Sequence, residues 1–307
     1  MMISTSILNA KDRVESVLKL NRTNTSYVHI DVMDGKFVED IQFKINEINA
    51  INMVTKYPMD IHLMVNDPIK YILELKNMNI GYITFHLEIR RGKEKIIAKI
   101  RDMGYKVGIS IKPDTDISKL EPYLKDIDMI LVMSVEPGKG GQEFLDSTVE
   151  RVNQVKKMID DGGYNIKIEV DGGINDTTIT KLSNVDIAVV GSYIINSDDY
   201  YSSIQKLLKN NKDNIKVDSN NKNKDKLIYK ILLGIGIIPY LFLILSGIYS
   251  TIYGIIFFSS IIYGLDAFLT VSILVVFIYW PIYLISLFLI IFSIIKLRKL
   301  KKLSSLK

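Results

Sequence analysis

Short runs rich in Ile and Val recur along the first two-thirds of the chain, each followed by a longer stretch with helical patterning. The runs lie near Ser4 to Leu8, Tyr27 to Asp31, Asp60 to Met64, Tyr82 to His86, Lys106 to Ser110, Met129 to Met133, Ile166 to Val170 and Ile187 to Val190. Segments such as KDRVESVLKLN and STVERVNQVKKMIDD supply helices between them. Strands that alternate with helices pair in parallel. About eight such units over roughly 200–250 residues is the size of a closed (β/α)8 or TIM barrel. A doubly wound open sheet is the competing architecture, and the strand count and the positions of the polar residues favour the barrel.

Within YVHIDVMDG (Tyr27 to Gly35) the period of two puts His29 and Asp31 on one face, with Val28, Ile30 and Val32 on the other. One face is apolar and the other carries ionisable groups. Ser6, His29, Asp31, His62, His86, Met133, Asp171 and Gly191-Ser192 all fall at or just beyond the C-terminal ends of expected strands. Barrel active sites form at that rim, because residues of different strands converge there. All three histidines of the chain lie on it.

The rest of the chain is a different polymer. After about Asn210 comes NNKDNIKVDSNNKNKDK, poor in apolar residues, which reads as a solvated, flexible linker. From Leu227 to Ile295 charge almost disappears, and 227–249 and 268–295 are each long enough to span a hydrocarbon core of about 30 Å. The expected organisation is a barrel over 1–208, a polar linker over 209–226, a helical membrane region over 227–296 and a basic tail over 297–307. Basic residues flank both ends of the membrane region, which puts both ends in the cytoplasm and requires an even number of crossings. Two spans are expected, a helical hairpin; the segment between them reads as an interfacial or re-entrant turn or a third span, with Asp266 in the outer loop. The chain is then a multi-pass membrane protein with its barrel facing the cytoplasm. A net charge of +5, with basic residues interspersed among acidic ones, gives no nucleic-acid surface. With no cysteine there are no disulfides and no thiolate metal sites, and the N-terminus has no signal-peptide pattern.

Two constellations carry chemistry. His29, Asp31, His62 and Asp171 have the mixture of imidazole and carboxylate that holds one divalent cation, and this set suits Zn, Fe, Mn or Co better than Ca. Taken singly, each has a plain structural reading; convergence on one rim makes the cation site the better one. The loops EPGKGGQ, VDGGIN and VVGSY follow the sixth, seventh and eighth expected strands. Loops after strands 7 and 8 are the usual phosphate cradle of barrels, although a single Gly-Gly pair is ordinary turn chemistry. Together the two sets point to a small phosphorylated substrate beside a metal.

The segments SILNA, HIDVMDGKFV, DIHLMV, FHLE, MSVEPGKGGQEF, IEVDGGI and VVGSYI, in unbroken order over residues 1 to about 208, resemble the motifs of the ribulose-phosphate 3-epimerase family. The resemblance implies a metal-dependent epimerase that interconverts ribulose 5-phosphate and xylulose 5-phosphate on a (β/α)8 barrel. It implies His29, Asp31, His62 and Asp171 as metal ligands, with Asp31 and Asp171 also the catalytic acid and base. It assigns substrate contacts to Ser6 and His62, and substrate or phosphate loops to Gly138, Lys139, Gly140 and Gly141 with Gly172, Gly173, Gly191 and Ser192. Met33, Met64 and Met133 correspond to methionines lining the reacting centre, though a plain core role also fits them.

Inverting a carbon beside a ketone removes a proton from one face and returns one to the other, so two acid/base groups must flank the substrate. A cation touching the ketone and hydroxyl oxygens would stabilise the cis-enediolate between the two transfers. The sequence departs from the family pattern at Thr5, Asn9, Glu39-Asp40 and Lys139, none of them a proposed ligand or base. Lys139 stands where the family has an aromatic residue; it reaches the phosphate or faces solvent. The partners expected are a phosphorylated ketose and, through the C-terminal helices, a membrane. Many barrels of this kind form homo-oligomers, but no patch for that is legible. Two rivals remain: an allulose-6-phosphate 3-epimerase, and a membrane-anchored, non-catalytic sugar-phosphate-binding module.

Overall fold

The structure, a computed structural model, describes residues 1–211 and, further along, Phe288, Ile291, Phe292, Ile294 and Ile295, which are helical. Eight parallel strands form the barrel: β1 (Met2–Ser6), β2 (Tyr27–Asp34), β3 (Met59–Met64), β4 (Ile80–His86), β5 (Lys106–Ile111), β6 (Met129–Met133), β7 (Lys167–Asp171) and β8 (Ile187–Val190). β1 pairs with both β2 and β8, which closes the sheet on itself and excludes the open-sheet alternative. The expected strands are all found. β1 is shifted two residues toward the N-terminus, because Leu8 N–H turns back to Ser6 Oγ at 3.3 Å and Ala10 N–H to Ile7 O at 3.1 Å.

Alternation along each strand separates two interiors. Val28, Ile30, Val32, Ile61, Leu63, Ile83, Phe85, Ile168 and Val170 belong to one continuous apolar layer between strands and helices. Burying each such side chain stabilises the fold by about 1.5–3 kcal/mol. Their sequence neighbours, His29, Asp31, Asp60, His62, Thr84, His86 and Glu169, are buried on the opposite, inward face. Tyr82, Met129 and Ile187, with Met2 and Tyr27 against them, form an apolar plug of their own. The barrel interior is therefore apolar in one layer and polar above it.

Helices Arg13–Leu20, Ile45–Val54, Pro68–Glu74, Lys93–Asp102 and Ser147–Gly162 coat the barrel. The connections after β5 and β7 are 3-10 segments, Ile117–Asp126 and Thr178–Lys181, and not the α-helices that simple alternation suggests. Pro122, inside the first, has no N–H to give to an α-helix. Among the described residues no helix is long and apolar enough to cross a membrane. The two spans expected at 227–249 and 268–295 lie outside the described residues apart from the five named above, as does the linker expected at 209–226 apart from residues 209–211, which are helical.

One rim feature escaped the sequence reading. A two-residue strand, Ile41–Gln42, pairs antiparallel with Met33 and Asp34 of β2, so residues 35–40 fold back over the barrel mouth. Asp34 ties this flap down: Oδ1 accepts from Lys36 N and Phe37 N, both at 2.9 Å, and Oδ2 from Asn66 N at 2.8 Å. Burial opposes its ionisation, but the three N–H donors more than compensate and hold the carboxyl below its ordinary value. Asp34→Ala should cost about 1.5–3 kcal/mol in urea unfolding, the range for hydrogen bonds to a charged group. The stabilisation is present above the ordinary aspartate value of 3.8 and is lost as the pH falls, so wild type and variant should converge in acid.

Candidate active site

Strand register determines which groups meet. Ser6 stands beside His29, His29 beside Asp60, Asp31 beside His62, and Met133 beside Asp171. All are on the inward face of the barrel, and ligand atoms of His29, Asp31, His62 and Asp171 come within 4.8 Å of one another. His29 Nε2 lies 3.2 Å from Asp31 Oδ1 and 3.9 Å from Asp171 Oδ2. His62 Nδ1 lies 3.3 Å and 3.9 Å from the same two oxygens. Ligands about 2.1 Å from a tetrahedral centre stand about 3.4 Å apart, close to these separations, so the four groups could hold a first-row divalent cation.

The support around these groups argues the same way. The other nitrogen of His29, Nδ1, lies 2.8 Å from Asp60 Oδ2, which also accepts from Ser4 Oγ at 2.8 Å. A ligating imidazole held by a carboxylate on its far nitrogen is the usual arrangement around bound metals. His29, Asp60 and Glu169 form a second cluster of possible donors. There Nδ1 of His29 is already engaged, and burial with the Asp60 charge pushes Glu169 well above its ordinary 4.5. A neutral Glu169 can donate to Asp60, which a second carboxylate could not do. This lower cluster orients His29.

The two candidate acid/base groups are pushed in opposite directions. Burial opposes the charge on Asp31, but His29 and His62, by charge and hydrogen bond, drive its carboxyl far below the ordinary range. Ser6 Oγ donates to its other oxygen at 2.9 Å. Asp171 is raised to about 6 by burial and by the charge of Asp31, partly offset by the two histidines. One carboxylate stays ionised while its neighbour holds a proton into the working pH range, the division expected of a base and an acid. His29 is raised well above 6.5, burial being outweighed by Asp31 and Asp60; a cation held by this imidazole would compete with its proton.

Above this cluster opens a cavity of about 690 Å³. Ser6, Asp31, Asp171, Met33, Met64 and Met133 line its inner end. Gly138, Lys139, Gly140 and Gly141, Gly172 and Gly173, and Gly191 and Ser192 line its outer wall, so the three glycine loops do converge. His29 and His62 are wholly buried, next to Asp31 and Asp171 at its floor. Lys139 is exposed at the mouth. Gln142 Nε2 staples the first loop by donating to Glu136 O at 2.7 Å and Lys139 O at 2.8 Å. Gly173 has φ +61, and a Cβ there would come within 2.3 Å of Phe144 N, so only glycine lets the second loop pack on the first.

Asp60, Glu88 and Glu169 were missed as site residues, and His86 was placed on the rim without a role. A signal existed. His29/Asp31, Asp60/His62 and Glu169/Asp171 are ionisable pairs at spacing i, i+2 within strands, His86/Glu88 repeats the spacing across the end of β4, and only the first was read as a pair. Asn175, Thr178 and Lys181 also reach the cavity wall; they sit on turns and a 3-10 segment, where sequence offers no period.

A family model described as the ribulose-phosphate 3 epimerase family matches residues 2–195. Over 186 residues, 59% of this chain and 80% of the relative, the sequence is 39% identical to a ribulose-phosphate 3-epimerase of Mycobacterium tuberculosis (strain ATCC 25618 / H37Rv). It is 33% identical to that of Bacillus subtilis (strain 168) over 183 residues, 59% of this chain and 84% of the relative. Among solved structures, 3-hexulose-6-phosphate synthase from Salmonella typhimurium superposes with a TM-score of 0.52 at 15% identity, covering 70% of this chain and all of that one. At that identity the likeness is one of fold alone.

Gly173→Ala should lower stability by about 1–3 kcal/mol, because the added carbon meets backbone and not a side-chain tip. Thermal melting checks this, and limited proteolysis should cut the 136–146 loop faster in the variant.

Proposed function

Because the chain belongs to the ribulose-phosphate 3-epimerase family, and is thus an isomerase acting on carbohydrates, we propose that it interconverts D-ribulose 5-phosphate and D-xylulose 5-phosphate. The observation that carries the reading is the pair Asp31 and Asp171, two carboxyls of opposed proton affinity at the floor of one cavity. The ionised group takes the proton from C3 on one face of the sugar, and the protonated group supplies one on the other. In the reverse direction they exchange roles. Ser6, bonded to Asp31, keeps that carboxylate aimed into the cavity. The methionines present an uncharged wall that offers no competing proton donor. The glycine loops at the far end offer backbone N–H groups to the phosphate and set the distance between it and C3.

His29, Asp31, His62 and Asp171 would hold one divalent cation, with Zn, Fe, Mn and Co all compatible with the donor set. When bound, it acts as a Lewis acid toward the oxygens next to the reacting carbon. Allulose 6-phosphate is the neighbouring substrate, since the same proton chemistry serves a hexulose. The apolar region after 227 is proposed as a membrane anchor, with the barrel on the cytoplasmic side.

Three measurements check this reading. In a coupled assay with both sugars, the pentulose phosphate should be turned over faster, with C3 hydrogen exchanging with solvent. Turnover without such exchange, or tight binding without turnover, would replace it with another mechanism or a binding module. Asp31→Asn and Asp171→Asn should each lower kcat/KM by more than the roughly 10²–10⁴-fold typical of one general acid or base, because each also removes a cation ligand. Finally, the full chain should partition with membranes in alkaline carbonate while residues 1–210 stay in the supernatant.

A further inference from the structure

Asn9 lines the cavity beside the glycine loops, and nothing in the proposed proton transfers uses it. Its backbone is fixed from both sides. Leu8 O accepts from Arg13 Nη2 at 3.3 Å, and Ala10 N–H donates to Ile7 O at 3.1 Å. Arg13 is itself held, donating to Glu47 Oε1 at 2.8 Å and Gln42 Oε1 at 2.6 Å. The turn after β1 thus presents one amide side chain at a set place.

That amide touches the loops after β6 and β8 at once. Its Nδ2 donates to Ser192 Oγ at 3.3 Å. It also lies against Gly140, where a Cβ would come within 2.5 Å of Nδ2, 2.8 Å of Oδ1 and 2.9 Å of Cγ. Gly140 is not in the left-handed region, so its glycine accommodates the Asn9 side chain and not an unusual backbone. The backbone of Gly140 is in turn a wall that keeps the amide aimed at Ser192.

The direction of this hydrogen bond decides what Ser192 offers. A hydroxyl has one hydrogen and two lone pairs. With a lone pair of Oγ taken by the Asn9 amide, the hydrogen points away from Asn9, and among the described residues no acceptor takes it. Ser192 lines the cavity, so that hydrogen is open to a ligand there. An ionised phosphate oxygen, which only accepts, is the matching group.

We propose that Asn9 is a positioning residue that sets the Ser192 hydroxyl as a donor toward the substrate phosphate. The inference rests on the sugar-phosphate reading for the identity of the ligand. Side-chain length matters to it. A serine at position 9 ends one bond earlier, about 1.3 Å, which takes its hydroxyl out of hydrogen-bond range of Ser192.

Asn9→Ala, Ser192→Ala and the double variant test this in the full-length chain. Affinity for inorganic phosphate, from 31P line broadening, needs no turnover, and KM and kcat for D-ribulose 5-phosphate are measured beside it. Ser192→Ala should weaken phosphate binding by about 10-fold or more, the loss of a hydrogen bond to a charged group. Asn9→Ala should weaken it by about 3–10-fold, the share of one ordinary hydrogen bond, and should raise KM more than it lowers kcat. Because Asn9 acts through Ser192, replacing it should have little further effect once Ser192 is alanine, whereas a merely structural role would cost the same in both backgrounds. Asn9→Ser keeps a polar side chain, which guards against a misfolded alanine variant, and should lose about as much affinity. Additive losses in the double variant, wild-type affinity in Asn9→Ala or Asn9→Ser, or no phosphate binding by wild type would each overturn the inference, even in a protein that epimerises its substrate. The expected coupling in a protein that does not turn over D-ribulose 5-phosphate would uphold it and instead remove the epimerase activity from the functional reading.

Discussion

The architecture turns on putting ionisable side chains inside a closed sheet where water cannot solvate them. Isolated charges at such depth would be prohibitive, and the barrel survives these because His29 and His86 each face a carboxylate within hydrogen-bond distance. His29 is the centre of that arrangement. Its ring is held by Asp60 below at 2.8 Å and faces Asp31 above at 3.2 Å, so one imidazole links the two polar layers of the barrel. Removing either carboxylate would leave a buried neighbour without its counterpart. The need to satisfy His29 thus couples the stability of the barrel to the geometry of its mouth.

From that coupling comes the division of labour between Asp31 and Asp171. Both are carboxyls at a strand end, and their chemistry differs only through what surrounds them. Asp31 has two imidazoles and the Ser6 hydroxyl as partners and stays ionised. Asp171 keeps longer contacts, 3.9 Å to each histidine, feels the Asp31 charge and is raised to about 6. A fold that places residues of one type in unlike settings can run acid and base chemistry together at one pH.

Much of this was legible in the sequence, and the physical reason is the period of two. A parallel barrel strand has one face toward helices and one toward the interior, so an Ile-His-Leu or Val-His-Ile triplet announces where its polar member points. That rule placed His29 and Asp31 on one inward face, while the Ile- and Val-rich runs located the strands and their ends located the rim with His62 and Asp171. It failed where the backbone is not regular. The 35–40 flap and its two-residue strand depend on Asp34 capturing N–H groups near and far in sequence, and Glu88 accepts from the Lys112 N–H, 24 residues away. Such contacts are tertiary, and no local pattern encodes them. The Thr178–Lys181 side of the cavity was likewise hidden behind a 3-10 segment.

Four side chains close around one point at the barrel mouth, and the chemistry proposed for the protein depends on them. Anomalous diffraction from crystals of the protein grown with Co²⁺ measures this directly. A single strong peak bounded by His29 Nε2, Asp31 Oδ1, His62 Nδ1 and Asp171 Oδ2 is the predicted result. Full occupancy at some other position, with those four atoms free of the ion in an active protein, would contradict it.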